Sequence, residues 1–215
     1  METKRQALAL SFCLLVISSF SYAASIQIEA LPQSQIWVSG NSTLHPFVIK
    51  ASTFNIEMAI AASEKEAVQT AILKGLPVKL ELTVPIKGLR SEFEAMDDNT
   101  QKAMKAKKYP DIVFSLKSYS LSNLNGKESI AALGTLSISG VSKPVTLHGT
   151  LKISKSNITV TGSQPILMKD YGITPPTMMF DTIKVDNKVV VHYHLILTQA
   201  EKMGEGANNS LATGL

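Results

Sequence analysis

Few side chains in this 215-residue chain have both the type and the spacing to do chemistry. His192 and His194 alternate on one face of a strand-like run, and two imidazoles so placed could hold a metal ion. A zinc site needs a third protein ligand, which no neighbouring segment offers, and a solvent-facing polar pair accounts for both histidines equally well. His45 follows the small-residue turn at 41–43. It fits two roles, a polar anchor for a ligand in an apolar pocket or a structural group bonded to nearby backbone. Asp97 and Asp98 are adjacent but read better as helix-start residues than as an acid–base pair. Lys102, Lys105, Lys107 and Lys108, with Lys87 and Arg90 just before them, could steer an anionic lipid head group or touch a membrane surface transiently. The solvated face of a short helix has the same appearance. No Gly-x-Ser-x-Gly elbow, His-Glu-x-x-His pair or glycine-rich phosphate loop occurs. The expectation is a binding protein and not an enzyme, with no cofactor and no metal.

The single cysteine, Cys13, sits inside an apolar run, 7–17, that follows Lys4 and Arg5 and precedes small residues ending at Ala23 and Ala24. Basic start, apolar centre and small-residue exit make a secretory signal peptide, with cleavage expected after Ala23. A spanning helix needs about 20 apolar residues, roughly twice this run. Phe12 stands where a lipoprotein would need a small residue, so Cys13 leaves with the leader (1–23). The mature chain then has no thiol, which suits a bacterial periplasm better than a disulfide-stapled secreted scaffold. The formal net charge is +4, falls by one when Glu2, Lys4 and Arg5 leave, and forms no basic stripe, so nucleic acid is not expected as a partner. Residues 200–215 are rich in Gly and Asn and read as a loose tail after a single domain, 24–199.

Within that domain apolar residues recur with a period of two. Val78, Leu80, Leu82, Val84 and Ile86 share one face, with Lys79, Glu81 and Thr83 on the other; Val145, Leu147, Leu151 and Ile153 repeat the pattern. Turn signals at Asn125-Gly126, Gly140, Gly162 and Asp186-Asn187 punctuate the chain. Eight strands are predicted, at 34–40, 45–60, 77–87, 111–123, 129–139, 144–155, 157–168 and 187–199. They form an all-β antiparallel meander that could close as a barrel or stack as a sandwich. Two insertions favour helix. The first runs from Ser63 to Lys74, with Ser63 and Glu66 as a capping box. The second starts at Asp98 with Gln101 and stops by Tyr109, before Pro110. In the second, Phe93, Met96, Thr100, Ala103, Met104 and Lys107 recur at helical spacing. Such a short helix could form a lid over a barrel end or pack outside it.

Four segments in order resemble the YceI-like family of exported lipid-binding barrels: Val38-Ser-Gly-Asn-Ser-Thr-Leu-His45; 103–114, a helix end running into Tyr109-Pro110 and a strand; Gly134-Thr-Leu-Ser-Ile-Ser-Gly-Val-Ser-Lys-Pro-Val-Thr-Leu147; and Met168-Lys-Asp-Tyr-Gly-Ile-Thr-Pro-Pro-Thr177, followed by a last strand opening near Lys184-Val185. The third is the most specific. Pro46 and Phe47 depart from the family's more polar pattern after His45, and the 60–76 insertion has no counterpart. The resemblance implies a lipocalin-like eight-stranded barrel with an elongated apolar cavity for a polyisoprenoid, an isoprenoid quinone or another long-chain lipid, carried through the periplasm. Candidate ligand-binding residues are Trp37, His45, Phe47, Phe54, Leu80, Leu82, Phe114, Leu136, Leu147, Tyr171, Met178 and Tyr193. Met178 belongs to a rigid proline-rich stretch suited to a pocket mouth. A stress-related interaction protein using its barrel surface, or an enzyme acting on an isoprenoid lipid, would fit the same sequence. The oligomeric state stays open, a homodimer included.

Overall fold

The computed structural model describes residues 25–61, 67–124, 127–178 and 182–200. The expected leader, most of the expected tail, Ser63, Glu66 and the Asn125-Gly126 turn signal lie outside them. Strands β1 (Ser25–Ala30) and β2 (Gln35–Ser42) run end to end along the last strand, β12 (Ile183–Gln199), as one stave of a barrel. The same arrangement makes a second stave from β3 (Pro46–Ala51) and β4 (Asn55–Ala61). A third consists of β5 (Val78–Pro85) and the short β6 (Leu89–Arg90), linked by a single 3₁₀ turn. Then β7 (Asp111–Leu124), β8 (Lys127–Ile138), β9 (Val141–Ile153) and β10 (Asn157–Leu167) follow as an antiparallel meander into β12. Pairing of Ile28 with Gln199 and Ala30 with Leu197 closes the ring at eight staves, so the barrel and not the sandwich forms. A two-residue strand, β11 (Thr177–Met178), adds to the start of β12.

Two of the turn signals mark other features. Gly162 lies mid-strand in β10, opposite Tyr193, whose ring and hydroxyl occupy the place a Cβ would need. Asp186-Asn187 falls in a bulge of β12, between Val185 and Val189, not at a turn. There the Asn187 Oδ1 accepts the Lys169 N–H at 2.9 Å. Ser139-Gly140 does form the tight β8–β9 turn, both residues at positive φ (51° and 81°), as a two-residue hairpin requires.

The wall is incomplete between β9 and β10. Their ladder runs only from Ile158↔Ile153 to Gly162↔Gly149, after which the strands part. Pro144 and Pro165 sit on the two parted stretches, where a missing N–H costs no ladder bond. At the fork Tyr193 donates its hydroxyl to the His148 carbonyl at 2.7 Å, replacing a rung. Farther along, the 3₁₀ turn Met168–Tyr171 folds back over the gap. Its Asp170 reaches Lys143 of β9 at 3.7 Å, and Tyr171 is buried beneath.

Two helices close the ends. Helix α1 (Val68–Leu73) buries Val68, Ala71 and Ile72 at one end. It ends in a Schellman motif in which the Gly75 N–H bonds Ile72 and the Leu76 N–H bonds Ala71, with Gly75 at φ +69°. Helix α2 (Glu94–Ala103) lies over the other end. It begins four residues before Asp98, which is mid-helix, because the buried Asp97 sets the entry. The Asp97 Oδ1 accepts both the backbone N–H and the hydroxyl of Ser91 at 2.7 Å. The helix also stops short of Tyr109. Lys105 takes the left-handed position (φ 56°), with the Lys105 N–H bonded to Lys102 and the Ala106 N–H to Gln101. This is the same Schellman geometry, built without glycine and therefore unmarked in the sequence.

Candidate functional site

The inward positions of the staves enclose two apolar chambers along the barrel. The upper, under α2, is a cavity of about 160 Å³. Its walls are Val38, Phe47, Ile49, Ile112, Ile138, Ile166, Ile173, Val189 and Val191, with Met168 beside them; Met96, Asn99, Thr100, Ala103 and Met104 come from α2 and its end. Met96, Thr100, Ala103 and Met104 of the helical stripe therefore form the underside of a lid, while Phe93 and Lys107 are exposed. The lower chamber, above α1, is about 120 Å³ and is lined by Ile56, Met58, Ile72, Leu80, Leu82, Phe114, Tyr119, Leu147, Leu151, Tyr193 and Leu195 among others. Phe54, Leu82, Val160 and Leu195 pack against the buried clusters on both sides and mark the level where the chambers meet.

Of the sequence-predicted residues, Leu80, Leu82, Phe114, Leu147 and Tyr193 line the lower chamber and Phe47 the upper. Phe54 stands between the chambers. Leu136 and Tyr171 pack in the cluster around Ile138 and Ile166, behind the upper chamber and not on its surface. Met178 pairs through its backbone with Ile183, and its side chain lies outside the described residues. Trp37 is a correction, because it faces away from the barrel interior. On β2 the inward residues are Ile36 and Val38, and the Trp37 ring stacks flat on His192 outside the wall (5.1 Å, 8°). Size singled out Trp37, but alternation places it with the outer set. His192 also contacts the Ser39 hydroxyl at 2.8 Å, and His194 contacts Thr161 at 2.8 Å. Each imidazole is thus engaged with its own neighbour. Among the described residues no group of three or more His, Cys, Asp or Glu is placed to hold a metal.

His45 is at the rim of the upper chamber, exposed, with its ring 6.5 Å from that of Phe93. Its Nδ1 lies 2.7 Å from the Pro46 carbonyl. A carbonyl only accepts, so Nδ1 carries the hydrogen and Nε2 is left as the ring's acceptor. The structural role open to His45 in the sequence is thus met by a backbone bond through one nitrogen, and the other nitrogen is at the pocket edge. Leu44 (66% exposed) and Phe93 (55%) make the same rim apolar. The lysines of α2 and the following turn point outward. Lys105 reaches the Gly172 carbonyl at 3.4 Å and Lys108 lies over the Tyr109 ring. Burial raises the hydroxyl pKa of Tyr119, and raises that of Tyr193 to about 12. Both phenols thus serve as neutral hydrogen-bond donors inside an apolar wall.

The residues that sequence reasoning missed are the branched aliphatics of the upper chamber and the α1 contributions below. Ile49, Ile112, Ile138 and Ile166 carry no mark that separates a cavity lining from an ordinary core. Ile72 was hidden in an insertion whose place in the barrel the alternation could not give.

A family model described as the YceI-like domain matches residues 33–197. Solved structures share the fold. Burkholderia cenocepacia BcnA is 18% identical (TM-score 0.60), the match covering 76% of this chain and 95% of that one. A polyisoprenoid binding domain from Saccharophagus degradans, implicated in plant cell wall breakdown, is 10% identical (TM-score 0.57; 81% and 99%). A Campylobacter jejuni YCEI protein is 21% identical (TM-score 0.50; 70% and 86%). Comparison with curated proteins returns no match.

Proposed function

The chain belongs to the YceI-like family, and from that premise we propose that it is a carrier, not an enzyme, that encloses one long apolar chain in its barrel. The observation that carries this reading is the pair of apolar chambers stacked inside one barrel. The polyisoprenoid-binding relative of the same fold supports a polyisoprenoid or isoprenoid quinone as the chain. Removing a hydrocarbon chain from water gains about 0.8 kcal/mol per methylene-sized group. Lost translational and chain freedom offsets much of this gain, leaving the reversible binding a shuttle needs. The ligand enters at the α2 end, where the lid rests on a rim of Leu44, Phe93 and His45. The His45 Nε2 accepts a hydrogen bond from a terminal hydroxyl while the chain lies below. The expected leader at 1–23 puts this traffic in the periplasm, and the apolar rim makes the contact with the donor membrane.

Mass spectrometry of an organic extract of protein isolated from its own compartment tests the reading. A long-chain lipid at near-stoichiometric amount is the expected result, strongly reduced in Leu82→Gln, which sets an amide where the chambers meet. A wild-type protein that yields no lipid and takes up none from vesicles refutes carriage.

A further inference from the structure

Residues 67–76 of the 60–76 insertion have a defined place in the barrel. Helix α1 lies across the end away from the lid and is tied to two parts of the rim. On one side, the Tyr119 hydroxyl from β7 shares its one hydrogen between the carbonyls of Ile72 (3.2 Å) and Leu76 (3.0 Å), at the helix C-terminus. On the other, the Gln69 amide donates to the Lys155 carbonyl in the β9–β10 hairpin at 3.2 Å. Between these ties Ile72 faces the lower chamber and is only 5% exposed, while Ala71 is fully buried. The Tyr119 ring lines that same chamber, so a single residue both walls the cavity and fastens its end. With Val68, Ala71 and Ile72 packed against Ile26, Ile60 and Ile158, this end is shut.

We propose that α1, held by Tyr119 and Gln69, is the floor of the barrel and sets the longest chain the protein accepts. The inference rests on the carrier reading and adds a length limit to it. A chain entering at the lid fills the upper chamber, passes Phe54 and Leu82, and meets Ile72. Each methylene accommodated before that point adds at most roughly fourfold to affinity. Beyond it, further groups stay in water at the rim or force the floor open, so affinity stops rising.

The test is affinity for a graded series of linear prenyl alcohols, measured by displacement of a fluorescent fatty probe. Wild type is compared with Tyr119→Phe, which removes both bonds but keeps the ring, and with Ile72→Ala, which deepens the chamber. A conservative Gln69→Leu change, on the exposed side of the helix, serves if Ile72→Ala folds poorly. Expected is a wild-type plateau at a defined length that moves to longer alcohols in the variants, and in Gln69→Leu, whose side chain lines neither chamber, affinity for the shortest alcohols stays within about twofold of wild type. A plateau at the same length in wild type and in every folded variant overturns the floor while leaving carriage intact. A wild type that binds no alcohol of any length overturns carriage, and the floor with it.

Discussion

Replacing Tyr193 by Phe removes one hydroxyl from the fork where β9 and β10 part, and its consequence depends on pH in a calculable way. At neutral pH the variant loses the 2.7 Å bond to the His148 carbonyl, worth about 1 kcal/mol net. The wild type has an opposing liability. Burial lifts the Tyr193 pKa from 10.0 to about 12, so the folded protein keeps a proton that the unfolded chain releases. Its contribution is therefore whole below pH 10 and is lost between pH 10 and 12, as ionisation favours the unfolded state. At pH 11 the loss amounts to about 1.4 kcal/mol for a shift of this size. Phenylalanine has no such proton. Tyr119 and Tyr171, whose pKa values burial also raises, are present in both proteins and cancel in the difference. Urea unfolding followed by circular dichroism should find Tyr193→Phe less stable by about 1 kcal/mol at pH 7 and level with wild type near pH 11. A stability difference that is the same at both pH values refutes the buried, proton-holding role of Tyr193.

Two further outcomes test the packing. A Cβ at Gly134 meets the Ser115 carbonyl, which is fixed backbone, as well as the Phe114 ring; one at Gly40 meets only the edge of the Phe47 ring beside the upper chamber. Gly134→Ala should therefore cost about 1–3 kcal/mol and Gly40→Ala less, since a ring beside a cavity has room to swing. Chemical unfolding of the two variants checks the order, and the reverse order contradicts the picture. Lys105 occupies a left-handed helix cap at φ 56° that glycine adopts without strain. Lys105→Gly should raise the thermal midpoint by roughly 1–4 °C, and a fall in the midpoint would show that its contact with Gly172 outweighs the strain.

The barrel was legible because its signal is periodic. Each predicted strand falls within one stave, although β1 (Ser25–Ala30) went unpredicted and the 45–60 run is two strands, β3 and β4; the face assigned to Val78, Leu80, Leu82 and Val84 does line the interior or pack against its core. What failed were single residues read by type. Gly162 looked like a turn because glycine usually marks one; here it makes room for a ring. Asp98 looked like a cap because Gln101 follows it by three, while the residue that organises the helix start is Asp97, acting on Ser91 from inside the first turn. Trp37 was chosen for bulk against the alternation of its own strand. The site was half legible for a related reason. Leu80, Leu82, Phe114, Leu147 and Tyr193 come from strands with one clearly apolar face. The upper chamber instead combines staves, the lid and residues of the 168–176 and 183–185 segments, and its lining depends on which segments cross that end.

Hollowness itself has a basis in the pairing of residues across strands. An eight-stranded barrel is just wide enough for its own side chains to fill, so a cavity along its axis needs large side chains to lie against the wall. Three aromatics do so, each over a glycine of the adjacent strand. Phe47 lies on Gly40, its direct cross-strand partner; Tyr193 lies on Gly162 in the same relation; Phe114 lies on Gly134, diagonal to it. At each glycine the missing Cβ leaves a hollow in the wall, and the ring settles into it instead of projecting to the axis. A side chain at any of these glycines would meet its ring, and at Gly134 and Gly162 a backbone carbonyl as well, and would narrow the lumen. The glycines therefore do opposite work to turn glycines: they keep strands regular and the lumen open. Two of the rings line the lower chamber and one the upper, so the device recurs in both chambers. The open lumen follows from this pairing of aromatic and glycine more than from the overall hydrophobicity of the strands.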